Sequence, residues 1–81
     1  MKLEYTESAL RALSDVPLPI RKAFIKQAAL LLLNLHYPSL RVKKYSESAD
    51  RWQARVTSSW RFYFKIVGDR YIITDIIPHP K

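Results

Sequence analysis

Residues 52–64, which read Trp-Gln-Ala-Arg-Val-Thr-Ser-Ser-Trp-Arg-Phe-Tyr-Phe, decide the fold of this chain. Apolar side chains occupy every second position on both sides of a Thr-Ser-Ser break, a pattern typical of two half-buried antiparallel strands joined by a short loop. We therefore predict a β-hairpin with one apolar face and one basic face. The apolar sets share a side of the sheet only if Val56 faces Trp60, which makes residues 57–59 the loop.

The same register places two arginines opposite each other on the basic face. Arg55 lies directly across from Arg61, and Gln53 lies across from Tyr63. Like charges in facing positions destabilise a strand pair. Two interpretations remain open: an anion binds between the guanidiniums, or the two side chains splay apart in solvent.

Length and composition restrict the class of protein. A chain of 81 residues predicts one domain, residues 1–81, with a single small core. It has no cysteines, so disulfides and thiolate metal sites are excluded. Since it has neither a membrane-spanning apolar run nor a signal-peptide pattern, we expect a cytoplasmic protein without membrane contact.

The positive charge is uneven along the chain. The net charge is +7, and residues 41–81 carry nine Lys/Arg against four Asp/Glu, whereas residues 1–40 carry five against three. A basic surface of this kind favours nucleic acid, another polyanion or an acidic protein as the partner.

The segment before the hairpin predicts a short strand and two helices. Alternation favours a strand at residues 2–6, after which Thr6 or Ser8 caps a first helix that stops before Pro17. A second helix is predicted to begin at residue 19 or 20 and to end at residue 35 or 36. His36, at that end, is predicted to cap the helix C-terminus.

The second helix is apolar nearly all round. Its predicted core stripe consists of Ile20, Phe24, Ala28, Leu31 and Leu35, widened by Ile25 and Leu32. Leu30 and Leu33 fall outside the stripe. They either wait for a partner protein or are scattered exposed leucines without a role.

The remaining chain predicts further strands. We expect one at residues 40–45 with an irregularity near the two lysines, a loop at residues 47–51, and a last strand at residues 70–77. The last strand is apolar on both faces and should be internal or covered. The predicted class is α+β, with two helices packed on one face of a small antiparallel sheet.

Four segments carry a resemblance to a known family. They are Tyr-Pro-Ser-Leu-Arg-Val-Lys-Lys at 37–44, the hairpin at 52–64, Gly-Asp at 68–69, and the Ile76 to His79 spacing. In order and spacing the chain resembles the RelE/ParE superfamily of toxins from bacterial and archaeal toxin-antitoxin pairs. The resemblance implies a RelE-like fold, with an N-terminal strand and a two-helix hairpin on a small antiparallel sheet.

The resemblance also implies a function. Members of the RelE and YoeB branches cut messenger RNA in the ribosomal decoding site without a metal or other cofactor, whereas members of the ParE branch poison DNA gyrase. Both kinds are silenced by an antitoxin that wraps around the toxin, so the resemblance implies a cognate antitoxin as partner. The expected assembly is a homodimer or a toxin-antitoxin heterotetramer. A third alternative is a binding module of this fold without remaining activity.

The site residues follow from matching positions. Arg61 matches the family's strand arginine, Arg55 matches a basic residue of YoeB-like members, and His79 matches their near-terminal histidine, so these three are the predicted catalytic residues. Two features depart from the family: Pro80 stands where RNA-cutting members often have tyrosine, and no glutamate precedes Leu40 to match the YoeB-like carboxylate.

Binding residues are predicted for both expected partners. The RNA-binding set is Lys43, Lys44, Tyr63 and Lys65. The antitoxin-binding pair is Leu30 and Leu33. Tyr63 is expected to stack on a base or to donate a hydrogen bond.

The chemistry of metal-free RNA cleavage suits these residue types. The ribose 2′-hydroxyl attacks the adjacent phosphate, so the protein must supply proton transfer and positive charge for the phosphorane. An imidazole such as that of His79 transfers protons near neutral pH, and the two arginines can hold the phosphate with paired hydrogen bonds. The alternative for His79 is a solvated residue in a fraying tail.

Overall fold

The computed structural model describes residues 1–79 of the chain. Pro80, the position that departs from the family's tyrosine, lies outside the described residues, as does Lys81. The elements are β1 (Lys2–Tyr5), α1 (Glu7–Asp15), α2 (Leu18–Leu33), a short 3₁₀ helix η1 (Pro38–Leu40), β2 (Lys43–Ser46), β3 (Arg51–Thr57), β4 (Trp60–Val67) and β5 (Arg70–Pro78).

The strands form one five-stranded sheet in the order β1-β5-β4-β3-β2. The α+β class with a RelE-like arrangement is confirmed. The sheet is mixed, however, because β1 pairs parallel to β5 while the other neighbours are antiparallel. Residue alternation carries no information on strand direction, and a parallel pair only requires a long connection, which the helices and the intervening strands supply.

The hairpin register is confirmed at the functional positions. Arg55 pairs with Arg61, and Gln53 pairs with Tyr63. The predicted pairing of Val56 with Trp60 is wrong, since Trp60 pairs with Thr57 and the loop shrinks to residues 58–59. A bulge in β3 accounts for the difference, because it sets two residues of one strand against one of the other while Val56 stays buried.

The first helix begins at a side-chain cap. The Oγ1 of Thr6 accepts a hydrogen bond from the Ala9 N–H at 3.1 Å, which satisfies one of the free donors of the first turn. The helix ends at Asp15, because Val16 is extended and Pro17 follows it.

The second helix ends earlier than predicted. Its last residue is Leu33, and Asn34 is extended with φ −163°. The Oδ1 of Asn34 accepts a hydrogen bond from the His36 N–H at 2.9 Å, a local bond that competes with continuation of the helix. His36 therefore lies beyond the helix, and its predicted capping role is wrong.

The helix packs on the sheet through a narrower stripe than predicted. The buried residues of α2 are Phe24, Gln27, Ala28 and Leu31. Ile25 and Leu32, predicted to widen the core stripe, are 58% and 40% exposed. The reason is that Gln27 occupies the buried edge of the stripe, which turns those two side chains toward solvent.

The core lies between the helices and the inner face of the sheet. Phe24 of α2 meets Phe62 edge to face at 5.2 Å between ring centres, and Phe62 neighbours Phe64 at 5.8 Å. The largest fully buried side chains are Phe24, Leu31, Leu40, Phe62, Phe64 and Ile73. No helix within residues 1–79 is long and apolar enough to cross a membrane.

The connection before the hairpin differs from the predicted strand at residues 40–45. Pro38 starts the 3₁₀ turn, Leu40 is buried at its end, and Arg41 takes a left-handed backbone conformation with φ 46°. The strand therefore begins only at Lys43, with the predicted irregularity between Lys44 and Ser46. β5 has a strand on each side, as its apolar faces indicated.

Candidate functional site

A pair of facing arginines defines one end of the sheet. Arg55 of β3 and Arg61 of β4 are register partners, and both side chains are partly buried. Across β4, Arg61 is also paired with Ile77 near the end of β5. The last residues of β5 therefore lie next to this arginine pair.

The guanidinium of Arg61 is held in place by the backbone. Its Nη1 donates hydrogen bonds to the carbonyl oxygens of Thr57 at 2.6 Å and Trp60 at 2.9 Å. These bonds occupy one nitrogen and leave the other donors of the fork for a ligand. Burial, followed by the charges of Arg55 and Arg41, lowers the pKa of Arg61 from its ordinary value.

Arg41 completes an arginine cluster that the sequence did not reveal. We define the arginine cluster as Arg41, Arg55 and Arg61. The sequence placed Arg41 inside a strand, whereas the structure puts it at the end of η1 in the left-handed region. Among residues 1–79, ion pairs to carboxylates are made by Lys44, Arg51 and Arg70, and the cluster has none.

Beside the cluster lies an open cleft of about 490 Å³ between α2, η1 and β3. We call it the basic cleft. Its charged lining residues are Lys26, Arg41 and Arg55, with Gln27 between them, and its other lining residues are Ala23, Pro38, Ser39 and Val56. The lining contains no carboxylate, so the cleft attracts anions.

Gln27, which the sequence analysis did not single out, joins the walls of the basic cleft. Its side-chain Nε2 donates to the carbonyl oxygens of Arg55 at 2.8 Å and Ser39 at 3.1 Å. Since β2 pairs with β3 only as far as Gln53, the Arg55 carbonyl has no strand partner on that side, and the amide of Gln27 takes its place. A buried polar residue inside the apolar stripe of α2 was the available signal.

His79 lies at the same end of the sheet. Its backbone N–H donates to the carbonyl oxygen of Ser59, in the β3–β4 turn, at 2.7 Å, and its side chain is exposed. The preceding residue, Pro78, is the register partner of Trp60. The three predicted catalytic residues therefore belong to neighbouring segments at one end of the sheet.

Tyr63 is part of an internal network on the outer face of the sheet. Its hydroxyl accepts a hydrogen bond from the Gln53 side chain at 2.8 Å, and the guanidinium of Arg51 covers its ring at 4.4 Å. Arg51 in turn pairs with Asp75 at 3.0 Å, and Tyr45 meets the ring edge to face. Tyr63 is only 7% exposed, so its ring offers little free surface on which a base could stack.

The predicted RNA-binding lysines divide between the two faces of the sheet. Lys43 is exposed and pairs with Gln53, and exposed Lys65 follows Tyr63 by two positions, so both belong to the outer face. Lys44 points to the other face, where it lies over the Trp52 ring at 5.4 Å. Its ammonium pairs with Glu47 at 3.3 Å and Asp50 at 3.4 Å, so the structure does not bring Lys44 to the arginine cluster.

The leucines assigned to a partner protein differ in exposure. Leu33, the last residue of α2, is 78% exposed. Leu30 is partly buried and packs against the core, so it offers little surface to a partner. The exposed apolar surface of this helix consists instead of Leu33 with Ile25 and Leu32.

A metal site is not built into the described part of the chain. Residues 1–79 contain no group of three His, Cys, Asp or Glu side chains arranged to hold a metal ion.

Comparison with known proteins shows which solved structures share this fold. No family model matches the sequence, and no curated protein sequence matches it. Solved structures do match: the YoeB/ParE toxin from Agrobacterium tumefaciens has a TM-score of 0.82 at 15% identity, covering 99% of this chain and 100% of the other. A chain of the archaeal RelE-RelB complex from Pyrococcus horikoshii matches with a TM-score of 0.78 at 16% identity, covering 95% of this chain and 92% of the other.

A third match extends the comparison to a larger assembly. The heterotetrameric YoeB-YefM toxin-antitoxin complex from Staphylococcus aureus has a TM-score of 0.77 at 10% identity, covering 96% of this chain and 95% of the matched chain. These likenesses define the class as the small α+β fold of toxin-antitoxin toxins. Within that class, the chain has the fold of the RelE/ParE superfamily.

Proposed function

We propose that this chain is the toxin of a toxin-antitoxin pair and that it inhibits translation in the cytoplasm by cutting messenger RNA on the ribosome. The observation that supports the proposal is the arginine cluster, which gathers three guanidiniums without a carboxylate partner among residues 1–79. The three positive charges repel one another, and a bound anionic ligand would offset that repulsion.

In the proposed reaction the 2′-oxygen of the RNA bonds to the adjacent phosphorus while the bond from phosphorus to the 5′-oxygen breaks. Arg55 and Arg61 stabilise the negative charge of the phosphorane with their fork-shaped donors. Arg61 needs little reorganisation, since the Thr57 and Trp60 carbonyls already fix it.

One proton must leave the 2′-hydroxyl and another must reach the 5′-oxygen. His79 brings an imidazole to this end of the sheet, and imidazole is the group that proteins most often use for general acid–base catalysis. We assign to it the proton donated to the 5′-oxygen. The ribosome would supply the group or the water that accepts the 2′-proton. The proposal therefore expects cleavage of ribosome-bound RNA and none of free RNA.

Primer extension on messenger RNA after induced expression tests the reaction. Wild type should produce discrete cuts, and Arg61→Ala and His79→Ala should each lower cleavage by at least about a hundredfold, the usual contribution of a proton-transfer group or a charge-stabilising donor. His36→Ala is the matched control, since His36 is exposed and lies outside the cluster. Growth arrest with intact transcripts would rule out cleavage.

Gyrase inhibition is the second candidate, favoured by Pro80 in place of the tyrosine of RNA-cutting members. Adding purified protein to a supercoiling reaction distinguishes the two, because only the gyrase inhibitor acts without ribosomes. Equal growth of cells expressing wild type and Arg61→Ala, with neither reaction detected, would leave a binding module of this fold.

An antitoxin is the proposed protein partner. Two of the matched structures are complexes with the RelB and YefM antitoxins, and α2 of this chain carries exposed Leu33, Ile25 and Leu32. Leu33→Ser should weaken binding to the product of an adjacent antitoxin gene, while Leu10→Ser, at an equally apolar exposed position on α1, should not. The mass of the purified complex would show whether it is a heterodimer or a heterotetramer.

A further inference from the structure

The basic cleft lies on a different side of Arg55 from Arg61. It is bounded by α2 and η1 as well as β3, and it brings Lys26 together with Arg41. Both side chains are exposed, and neither pairs with a carboxylate among residues 1–79. Neither has a role in the bond-breaking step proposed above.

The backbone holds Arg41 in an unfavourable conformation. Its φ of 46° and ψ of 48° lie in the left-handed region, which residues other than glycine and asparagine rarely adopt. The 3₁₀ turn fixes this conformation through the hydrogen bond from the Arg41 N–H to the Pro38 carbonyl at 3.3 Å. Strain of this kind, at a charged residue lining a cleft, indicates a position kept for ligand contact.

The cleft is continuous with the arginine pair through Arg55. This residue faces Arg61 across the strands and also lines the cleft, and Gln27 fixes its carbonyl to the helix that carries Lys26. Lys26 and Arg41 therefore extend the series of positive residues to which Arg55 and Arg61 belong. A ligand that fits such a series carries regularly repeated negative charges.

We propose that Lys26 and Arg41 form a second phosphate subsite, which binds the backbone of single-stranded RNA at a nucleotide flanking the one held by Arg55 and Arg61. This inference rests on the proposed function and adds to it the path of the RNA. Arg41 would grip one phosphate with its fork of donors, and Lys26 would add a mobile point charge.

An acidic peptide is the alternative ligand for positive groups. The RNA backbone is favoured, because the cleft is open to solvent along its length and does not enclose a pocket. A bound peptide generally needs a deeper apolar pocket for an anchoring side chain.

The test measures binding of a fluorescent single-stranded RNA hexanucleotide and a dinucleotide to the full chain at several salt concentrations. Each phosphate contact with a single strand adds about 0.7 to the slope of log affinity against log salt. Lys26→Ala and Arg41→Gly should therefore each reduce that slope by about 0.7. Raising the salt from about 50 mM to about 200 mM weakens binding in every case, and the factor by which binding weakens should be roughly 2.5 times smaller for each variant than for wild type.

Lys22→Ala is the matched control, since Lys22 is exposed on the same helix and does not line the cleft. The proposal predicts that Lys22→Ala leaves the slope unchanged and that dinucleotide binding is the same in wild type and all three variants. An equal effect of Lys22→Ala and Lys26→Ala would overturn it, because bulk charge would then account for binding.

Two competitors distinguish the ligand source. Inorganic phosphate and unlabelled RNA are compared at the same concentration of phosphate groups. If inorganic phosphate displaces the hexanucleotide as effectively as the RNA does, the RNA assignment is overturned in favour of an isolated anion site. A glutamate-rich peptide whose binding depends on Lys26 and Arg41, with RNA binding unaffected, would assign the cleft to a protein partner instead. If both variants keep wild-type RNA binding while Arg61→Ala abolishes cleavage on ribosomes, the subsite is refuted and the proposed function stands.

Discussion

Replacing Gln27 by methionine tests how the helix is locked to the strand that carries Arg55. Methionine keeps the length of the side chain but removes both donors, and Gln27 is 7% exposed, so water cannot easily replace them. The carbonyl of exposed Ser39 can turn to solvent, whereas the carbonyl of Arg55, held at 2.8 Å, loses its partner inside the protein. One buried unsatisfied carbonyl costs about 1–3 kcal/mol.

Urea unfolding followed by circular dichroism measures this loss. A domain of this size has a slope near 1 kcal/mol per molar urea, so the midpoint should fall by about 1–3 M. Lys22→Met introduces the same side chain at an exposed position of α2 and should change the free energy of unfolding by less than about 0.5 kcal/mol.

Gln27→Glu provides a second measurement with a defined pH dependence. A carboxylate buried against two carbonyl oxygens has a raised pKa in the folded protein. Stability should therefore be greatest below about pH 4.3, the ordinary value in the unfolded chain, and should fall as the pH rises through the folded pKa. A Gln27→Met variant as stable as wild type, with no pH-dependent loss in Gln27→Glu, would refute the role given to this amide.

Three further predictions concern the core, the N-terminal strand and the strained turn. Phe62→Ala should lower the free energy of unfolding by about 3–5 kcal/mol because Phe62 is fully buried, whereas exposed Leu33→Ala should lower it by less than about 0.5 kcal/mol. Urea unfolding measures both, and a loss below about 1 kcal/mol for Phe62→Ala would contradict the assignment of Phe62 to the inner face. Burial raises the pKa of Tyr5 above its ordinary value of 10.0, so stability should fall as the pH rises above that value, and Tyr5→Phe should flatten this alkaline loss in thermal melts. Arg41→Gly should raise the free energy of unfolding by about 1 kcal/mol, because it relieves both the left-handed backbone and the charge repulsion. Asp50→Gly at φ 49° relieves the backbone but also removes the ion pair to Lys44, so its gain should be smaller. A loss of stability in Arg41→Gly would contradict the strain.

The hairpin shows which structural features the local sequence pattern can predict. Alternation placed Arg55 opposite Arg61, since a slip by one residue would have moved every apolar side chain of one strand into water. The same argument missed the bulge at Val56, because a bulge adds one residue without moving the apolar set to the other face.

The arginine pair and the position of His79 were thus available from local rules and a family resemblance, but the basic cleft was not. Arg41 looked like an ordinary strand residue until the 3₁₀ turn placed it beside Arg55. The prediction that Tyr63 lies on the outer face of the sheet is correct, and a residue on that face was expected to be exposed. The neighbouring Gln53 and Arg51 side chains cover it instead, which local pattern does not predict.

What the amino-acid sequence determined by itself was the set of features governed by contacts a few residues apart: the Thr6 cap, the strand periodicity and the register of one hairpin. The tertiary structure alone decided which side of α2 is buried, that β1 runs parallel to β5, and that Gln27 ties the helix to the Arg55 carbonyl. The physical reason is separation along the chain. Gln27 and Arg55 are 28 residues apart, and no local propensity sets the distance or direction between groups that meet only after the sheet and helices have packed.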